Sequence, residues 1–523
     1  MLSLWTFFLS HGMVGCQAKL TAKESTMNQI EQLERLHPVF LPALEHFMGL
    51  GVELAGEEAG KMEHAEIESL ISKEGKEILR RMFQAHLDLR CTREVREETV
   101  AGSDGVVRLR CRQGCERGLM SVFGKVTVTR KGYKAPKVES VFPMDAELNL
   151  PQDLYSHGLR CRVAEEVAGH SFDEAVENIV KTTGGKVPKR QTEEVAVCAA
   201  RDFNEFYSGR EAETPEATSD ILVLTVDQKG MVMREEDLRP ATRKAAEKAE
   251  HQPGARLNPG QKLNRKRMAT VASVYTIEAR ERTPEMVMGL ADEDKPDRSR
   301  CRNKRVWASV EQEPEVVIQD MFDEALRRDP EKKRPWAVLL DGGEKQLELV
   351  LGLVRSLRPD ISVILDFVHV LEYPWKAAYS FYPVGSQEAQ NCVAEQALKI
   401  LRGESTQVVT GLRQRIDFAK HGPEKLKAAV KCANYLEKYG VLMDYNVYLE
   451  EGLPIATGVI EGACRHLIKD RMDLTGARWR LKSAEAVLRI RSLRSSGDLD
   501  AYWKFHRARE LKRNYSYAAS CAT

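Results

Sequence analysis

The sequence predicts an α/β protein whose catalytic-type domain is a mixed sheet, with helical regions before it and an all-α insertion within it. Three observations carry that prediction. Apolar, β-branched runs recur from residue 220 onward: "ILVLTVD" (221–227), "MATVASVYTIEA" (268–279), "NKRVWASV" (303–310), "WAVLLD" (336–341) and "ISVILDFVHV" (361–370). The first three follow one another as strands, whereas the last two alternate with helical patterns at 314–328 and 344–358, which gives a mixed sheet. Residues 371–450 then read as entirely helical.

The chain has 523 residues, enough for two to four domains. With 42% hydrophobic and 30% charged residues it has an ordinary globular composition. The formal net charge of +1 excludes a strong whole-molecule field, so any nucleic-acid contact must be made by patches. Two such patches are visible, "KLNRKR" (262–267) and "RSRCRNKR" (298–305), followed by an acidic stretch at 311–324. Eleven cysteines, scattered from Cys16 to Cys521 without framework spacing, point to reduced thiols and a cytosolic setting. No stretch approaches the length of a membrane span.

In chain order, residues 1–26 read as a disordered extension ahead of a globular protein that begins near Met27. The apolar start before Cys16 has a loose likeness to a lipoprotein export signal, but it lacks a basic n-region and its apolar run is short and broken. Residues 27–149 form an N-terminal helical region plus a small β-hairpin. "EIESLISKEGKEILRRMFQAHLDLR" (66–90) has a helical period, and "SVFGKVTVTRKGY" (121–133) alternates Val122, Val126 and Val128 against Lys125, Thr127 and Thr129 as a strand. Cys111 and Cys115 lie nearby, but a lone C-x3-C is weak grounds for zinc, and thiols are the plainer reading.

Residues 150–215 read as a compact unit of three helices. The first runs from about Leu154 to Gly169. The second is opened by a Ser171–Glu174 capping box, and the third spans 186–207 with Pro188 in its first turn. That pattern fits a helix-turn-helix, with Lys189, Arg190 and Gln191 placed for DNA contact; the plainer alternative is a helical bundle with a solvated basic face. The domain at 216–480 holds the sheet and the insertion at about 371–450, and 481–523 is a C-terminal helical tail.

Three acids stand out in the sheet domain. Asp227 closes "ILVLTVD", Asp341 closes "WAVLLD", and Glu461 lies in "IATGVIEGACRH". They are so far apart in sequence that only folding can unite them. An acid at a strand's C-terminal end projects into the crevice where open α/β sheets bind ligands, although singly it often just caps the next turn. Together, carboxylates select Mg²⁺ or Mn²⁺, and a pair of such ions activates an attacking hydroxyl and stabilises a leaving oxygen at phosphorus. Asp366 and His369, three apart where a strand enters a helix, remain open as a catalytic acid, a metal or phosphate contact, or a structural pair. After Glu461, the residues Arg465, His466, Lys469 and Arg471 form a cationic flank suited to phosphates, joined by Lys266 and Arg267 from "NRKR". Arg478 beside Trp479 is placed either to stack a base or to anchor a core.

Taken together, "YSHGLRCRVAEEVAGHSFDEAV", "VPKRQ", "VDQKG", "NRKRMATVA", "NKRVWASVE", "LDFVHVLEYPWKAA" and "LPIATGVIEGACRHLIKDRMDLTGARW" resemble transposases of the ISKra type of bacterial insertion sequence, a Mutator-like branch of the DDE transposases. The likeness runs from roughly 120 to 510. It implies an RNase H-like catalytic domain and matches Asp227, Asp341 and Glu461 to the catalytic, metal-binding triad. Asp366 and His369 match an acid-x-x-His element. Where the family has glycine this chain has Gln228, and the family's "VDGN" is "LDGG" here. The resemblance further implies two Mg²⁺ or Mn²⁺ ions, double-stranded DNA (terminal repeats and target) as partner, a homodimer or larger synaptic assembly, and a bacterial cytoplasmic, nucleoid-associated location with no membrane. The alternatives are an RNase H-like nuclease or resolvase, and a domesticated DNA-binding regulator without catalysis.

Overall fold

A computed structural model describes residues 37–212, 216, 218–248, 264–290, 300–357, 360–419, 422–474 and 476–516. The expected extension 1–26 and the starts of both basic patches lie outside them. The chain divides into two compact units, one of residues 1–160, 176–187 and 510–523, the other of 161–175 and 188–509. The stretch 150–215 is thus shared between them. Among the described residues no helix is long and apolar enough to cross a membrane.

The first unit begins with α1 (Leu41–Leu54) and the long α2 (His64–Arg93). A short pair, β1 (Val100–Ala101) and β2 (Val107–Arg108), precedes a hairpin of β3 (Arg110–Ser121) and β4 (Gly124–Lys134). Helix α2 lies against β4 because both present apolar stripes: Leu87 meets Leu119, Val126 and Val128, and α3 (Pro143–Glu147) adds Met144. The strand expected over 121–133 is corrected here. Ser121 ends β3 and Val122–Phe123 form the turn, so Val122 does not share a face with Val126. Gly184 packs on that turn so closely that a Cβ would sit 2.3 Å from the Phe123 carbonyl oxygen, a place only glycine fills.

Helix α4 (His157–Gly169) starts three residues later than the sequence predicts, because Leu154 is engaged by β3 through its carbonyl, which accepts from Met120 N at 2.7 Å. Helix α5 (Phe172–Thr182) has the expected capping box: Ser171 N donates to Glu174 Oε2 (2.9 Å) and Glu174 N to Ser171 Oγ (3.2 Å). The third expected helix is two. The first, α6 (Lys189–Ala199), stops before Asp202, whose buried carboxylate pairs with His506 Nδ1 at 2.7 Å; α7 (Phe203–Ser208) follows.

In the second unit β5 (Ile221–Val232), β6 (Lys266–Ile277) and β7 (Arg302–Ser309) are antiparallel neighbours, with α8 (Pro240–Glu247) and α9 (Pro284–Met288) in the connections. Helix α10 (Pro314–Arg328) leads to β8 (Trp336–Leu340), and α11 (Glu344–Leu357) to β9 (Ser362–Leu365). Both of these strands run parallel to β5, giving the order β7-β6-β5-β8-β9. The central runs Ile221–Val226 and Trp336–Leu340 are wholly buried, which is why they are continuous apolar blocks. Helix α10 covers β5 and β6 with Val317, Ile318, Met321 and Phe322, each burial stabilising by about 1.5–3 kcal/mol.

Helices α12 (Phe367–Ala378), α13 (Gln387–Leu401), α14 (Ser405–Phe418), α15 (Pro423–Tyr439) and α16 (Tyr445–Glu450) form the insertion, with α12 packed on α13 and α15. The strand expected over 361–370 ends at Leu365, and Asp366 caps α12. The chain then returns to the sheet. Ile460 and Ala463 of α17 (Gly458–Ala463) and Leu467 and Ile468 of a π-helical turn (Cys464–Lys469) bury against Met231, Ala269 and Val271. A single turn, α18 (Asp470–Met472), precedes α19 (Leu481–Ser496), which packs on β7 and α6, and α20 (Leu499–Asn514).

Candidate active site

Register brings the acids together. Val226 of β5 pairs with Leu340 of β8, and Leu340 with Leu365 of β9. The next residue in each chain is Asp227, Asp341 or Asp366, so three carboxylates leave neighbouring strands at one level of the sheet edge. Asp227 does not close its strand as the sequence predicts. Beyond Val226 the parallel partner β8 stops, but antiparallel pairing with β6 continues to Val232, so Asp227 sits mid-strand on a newly exposed flank. Burial of the sheet-facing side of α17 on β5 and β6 holds Glu461, itself exposed, over the same edge.

The four acids differ in what occupies their oxygens. Asp366 is 1% exposed and fully engaged. Its Oδ1 accepts from Val368 N (2.7 Å) and His369 N (3.3 Å), and its Oδ2 from Thr457 N (2.7 Å) and the Thr457 hydroxyl. Phe367 N also donates to Ile455 O at 2.9 Å, so the head of α12 is tied to the segment that enters the Glu461 helix. Half-buried Asp341 accepts from Gly343 N (3.1 Å). Burial first, and then the Asp227 charge, push its carboxyl above the usual range, while His369 opposes them. Asp227 accepts from the buried Cys464 thiol at 3.1 Å, and burial followed by the Asp227 charge pushes that thiol up. Among the described residues neither Asp227, Asp341 nor Glu461 has a Lys or Arg ion-pair partner.

Asp366, His369 and Glu461 offer ligand atoms within 4.8 Å of one another; Asp227, Asp341 and Glu461 do not form such a group. His369 Nδ1 lies 3.6 Å from Asp366 Oδ2 and is a buried atom with no hydrogen-bond partner among the described residues. Cys111 and Cys115 join no potential metal group among the described residues.

The cationic flank behind Glu461 takes its shape from the π-helical turn. The turn begins at Cys464, three residues after Glu461, and widens the helix there. Cys464, Leu467 and Ile468 face inward, leaving Arg465, His466 and Lys469 exposed, whereas Arg471, expected in the same flank, is buried against the Phe172 and Trp479 rings; Arg465 and His466 approach Asp470 at 3.5 and 3.2 Å. Lys266 pairs with Asp473 at 2.9 Å. Lys189 and Arg190 are exposed at the start of α6, paired with Asp173 (2.6 Å) and Glu194 (3.1 Å), and Gln191 is half-buried.

Two expected DNA contacts are corrected. Arg267 spends its guanidinium on the carbonyls of Val310 (2.8 Å), Asp237 (3.2 Å) and Glu311 (3.3 Å), which leaves little of it for phosphate. Trp479 is 5% exposed, donates from Nε1 to Met472 O (2.9 Å), and packs against Phe172 and the Arg471 guanidinium, which lies 4.8 Å from its ring centre. Its backbone extends the pairing of β5, with Trp479 N donating to Val232 O and Arg234 N to Trp479 O. No face of the indole is open to a base, whereas Arg478 next to it is exposed.

Sequence reasoning missed Thr457, Cys464 and Tyr435. Cys464 had a signal, its place three residues after Glu461 on one helix. Thr457 and Tyr435 reach the site only through tertiary packing. No family model matches the chain, and no curated protein matches it.

Proposed function

We propose that this protein is a DDE transposase of the ISKra type, acting on double-stranded DNA at the ends of its element. The observation that carries the reading is the row of in-register acids at the end of a β7-β6-β5-β8-β9 sheet, completed by Glu461 after a helical insertion. That order, three antiparallel strands continued by two parallel ones, supports an RNase H-like catalytic domain. The resemblance in sequence supplies the narrower family.

The donor set fits hard divalent cations. Asp227 and Asp341 are half-buried on neighbouring strands without a Lys or Arg partner among the described residues, and burial, then the Asp227 charge, raises the Asp341 carboxyl, a cost that a cation would relieve. Asp227, Asp341 and Glu461 would hold two Mg²⁺ or Mn²⁺ ions, which when bound supply activation of the attacking hydroxyl and neutralise charge at the leaving oxygen. Asp227 is held in place by Cys464, and Glu461 by the packing of α17. Asp366 keeps the Glu461 segment against β9 through Thr457. His369 faces Glu461, and Arg465, Lys469 and Arg478 offer cations to DNA phosphates. Because transposition joins two ends, the working form is a homodimer or larger synapse, in the bacterial cytoplasm on the nucleoid.

A strand-transfer assay on flanking-end DNA tests this. The parent should cut and join with Mg²⁺, and Asp227→Ala, Asp341→Ala and Glu461→Gln should each lose on the order of 10²-fold or more. Cutting without joining would mark a nuclease or resolvase. DNA binding without any Mg²⁺-dependent cutting in the parent would mark a regulator.

A further inference from the structure

We infer that Tyr435, from the helical insertion, donates a hydrogen bond to a non-bridging oxygen of the scissile phosphate, a role that rests on the phosphodiester reading above. Tyr435 lies on α15 and is 8% exposed. Its ring is fixed by a parallel stack on Tyr373, 3.7 Å between centres and 9° between planes, and by the edge of Tyr439 at 5.0 Å. The hydroxyl is buried and has no hydrogen-bond partner among the described residues.

Its position is set by Gly342, the residue after Asp341. A Cβ there would lie 2.8 Å from the Tyr435 oxygen, and Gly342 has φ +89°. The hydroxyl is therefore pressed against the turn that carries Asp341, in a gap that glycine leaves open. A phenol O–H can donate or accept, and beside carboxylates and a phosphate, which only accept, its role is donor. A donor that folding buries and leaves unpaired is costly, and such orphans mark places where a ligand completes the bonding. Carboxylates at the same edge disfavour a second anion unless cations offset their charge, as divalent ions held by Asp227, Asp341 and Glu461 would do for a phosphodiester beside the Asp341 turn. The insertion thus contributes a catalytic group as well as length between Asp341 and Glu461.

The test uses the full chain with Mg²⁺ and element-end duplexes carrying oxygen or either phosphorothioate diastereomer at the scissile position. Tyr435→Phe keeps the ring stack and should bind DNA as the parent does. It should cleave about 100-fold more slowly, the loss typical of a transition-state hydrogen-bond donor. One diastereomer should slow the parent but slow Tyr435→Phe no further, and the variant's unfolding temperature should rise because an unpaired hydroxyl is gone. Parental cleavage by Tyr435→Phe, an unchanged phosphorothioate effect, or a lowered unfolding temperature overturns the inference. Asp341→Asn separates the two claims. If it is inactive while Tyr435→Phe is normal, only this inference falls; if it cleaves like the parent, or the parent cuts nothing, the phosphodiester reading falls and the inference with it.

Discussion

Asp341 and Asp366 directly follow adjacent strands at the same level of register, yet their surroundings engage them very differently. Both oxygens of Asp366 accept from backbone N–H groups, so an amide in either orientation would set its NH₂ against a donor. Asp366→Asn should therefore destabilise the second unit by about 3 kcal/mol, read by denaturant unfolding. Asp341→Asn removes a buried charge that repels Asp227 and should leave stability equal or higher without divalent ions. Equal destabilisation by the two would contradict the division. The strand-end acids were legible in the sequence because each terminates an apolar block. The choice between them was not, since two of the donors that occupy Asp366 come from Thr457, 91 residues away.

At the scale of elements, the five strands and the capping box at Ser171 follow from local pattern and side-chain chemistry. The deviations follow from partners that no local window contains. Strand β5 outruns its apolar block because β6 goes on pairing with it. Helix α6 stops where Asp202 is drawn to His506. Trp479 is a core residue because Phe172, Arg471 and the end of β5 enclose it. Trp479→Ala should cost about 3–5 kcal/mol. Any loss of DNA binding should track the unfolded fraction; a weaker Kd in fully folded variant would restore the base-stacking role.

The join between α10 and β7 is electrostatic. Buried Glu324 meets Arg305, Arg327 and Arg328. Burial alone would raise its carboxyl, but Arg305, then Arg328 and Arg327, outweigh that and bring it down to about 2. A depressed acid contributes stability that is complete above its unfolded pKa, roughly 4.3, and is lost as pH falls through the folded value. Glu324→Gln should cost about 3–5 kcal/mol at neutral pH, with the gap to the parent closing between pH 5 and about 2. A gap constant with pH would show that shape rather than charge holds this join.

For the whole molecule, the α/β class with its all-α insertion was readable because period-two and period-3.6 patterns occupy long separate stretches. The sharing of 150–215 between two compact units was not, because nothing in a helix's own sequence says which neighbour it will join. The site is built across the same distances: one acid from each of β5 and β8, a third on α17, and a phenol from the insertion. The most direct test of this account is single-turnover cleavage of element-end DNA by parent, Asp341→Asn and Asp366→Asn, with Mg²⁺ and with EDTA. Mg²⁺-dependent cutting is expected of the parent, none of folded Asp341→Asn, and residual cutting of whatever fraction of Asp366→Asn remains folded. Parental cutting by Asp341→Asn, or cutting that persists in EDTA, would contradict it.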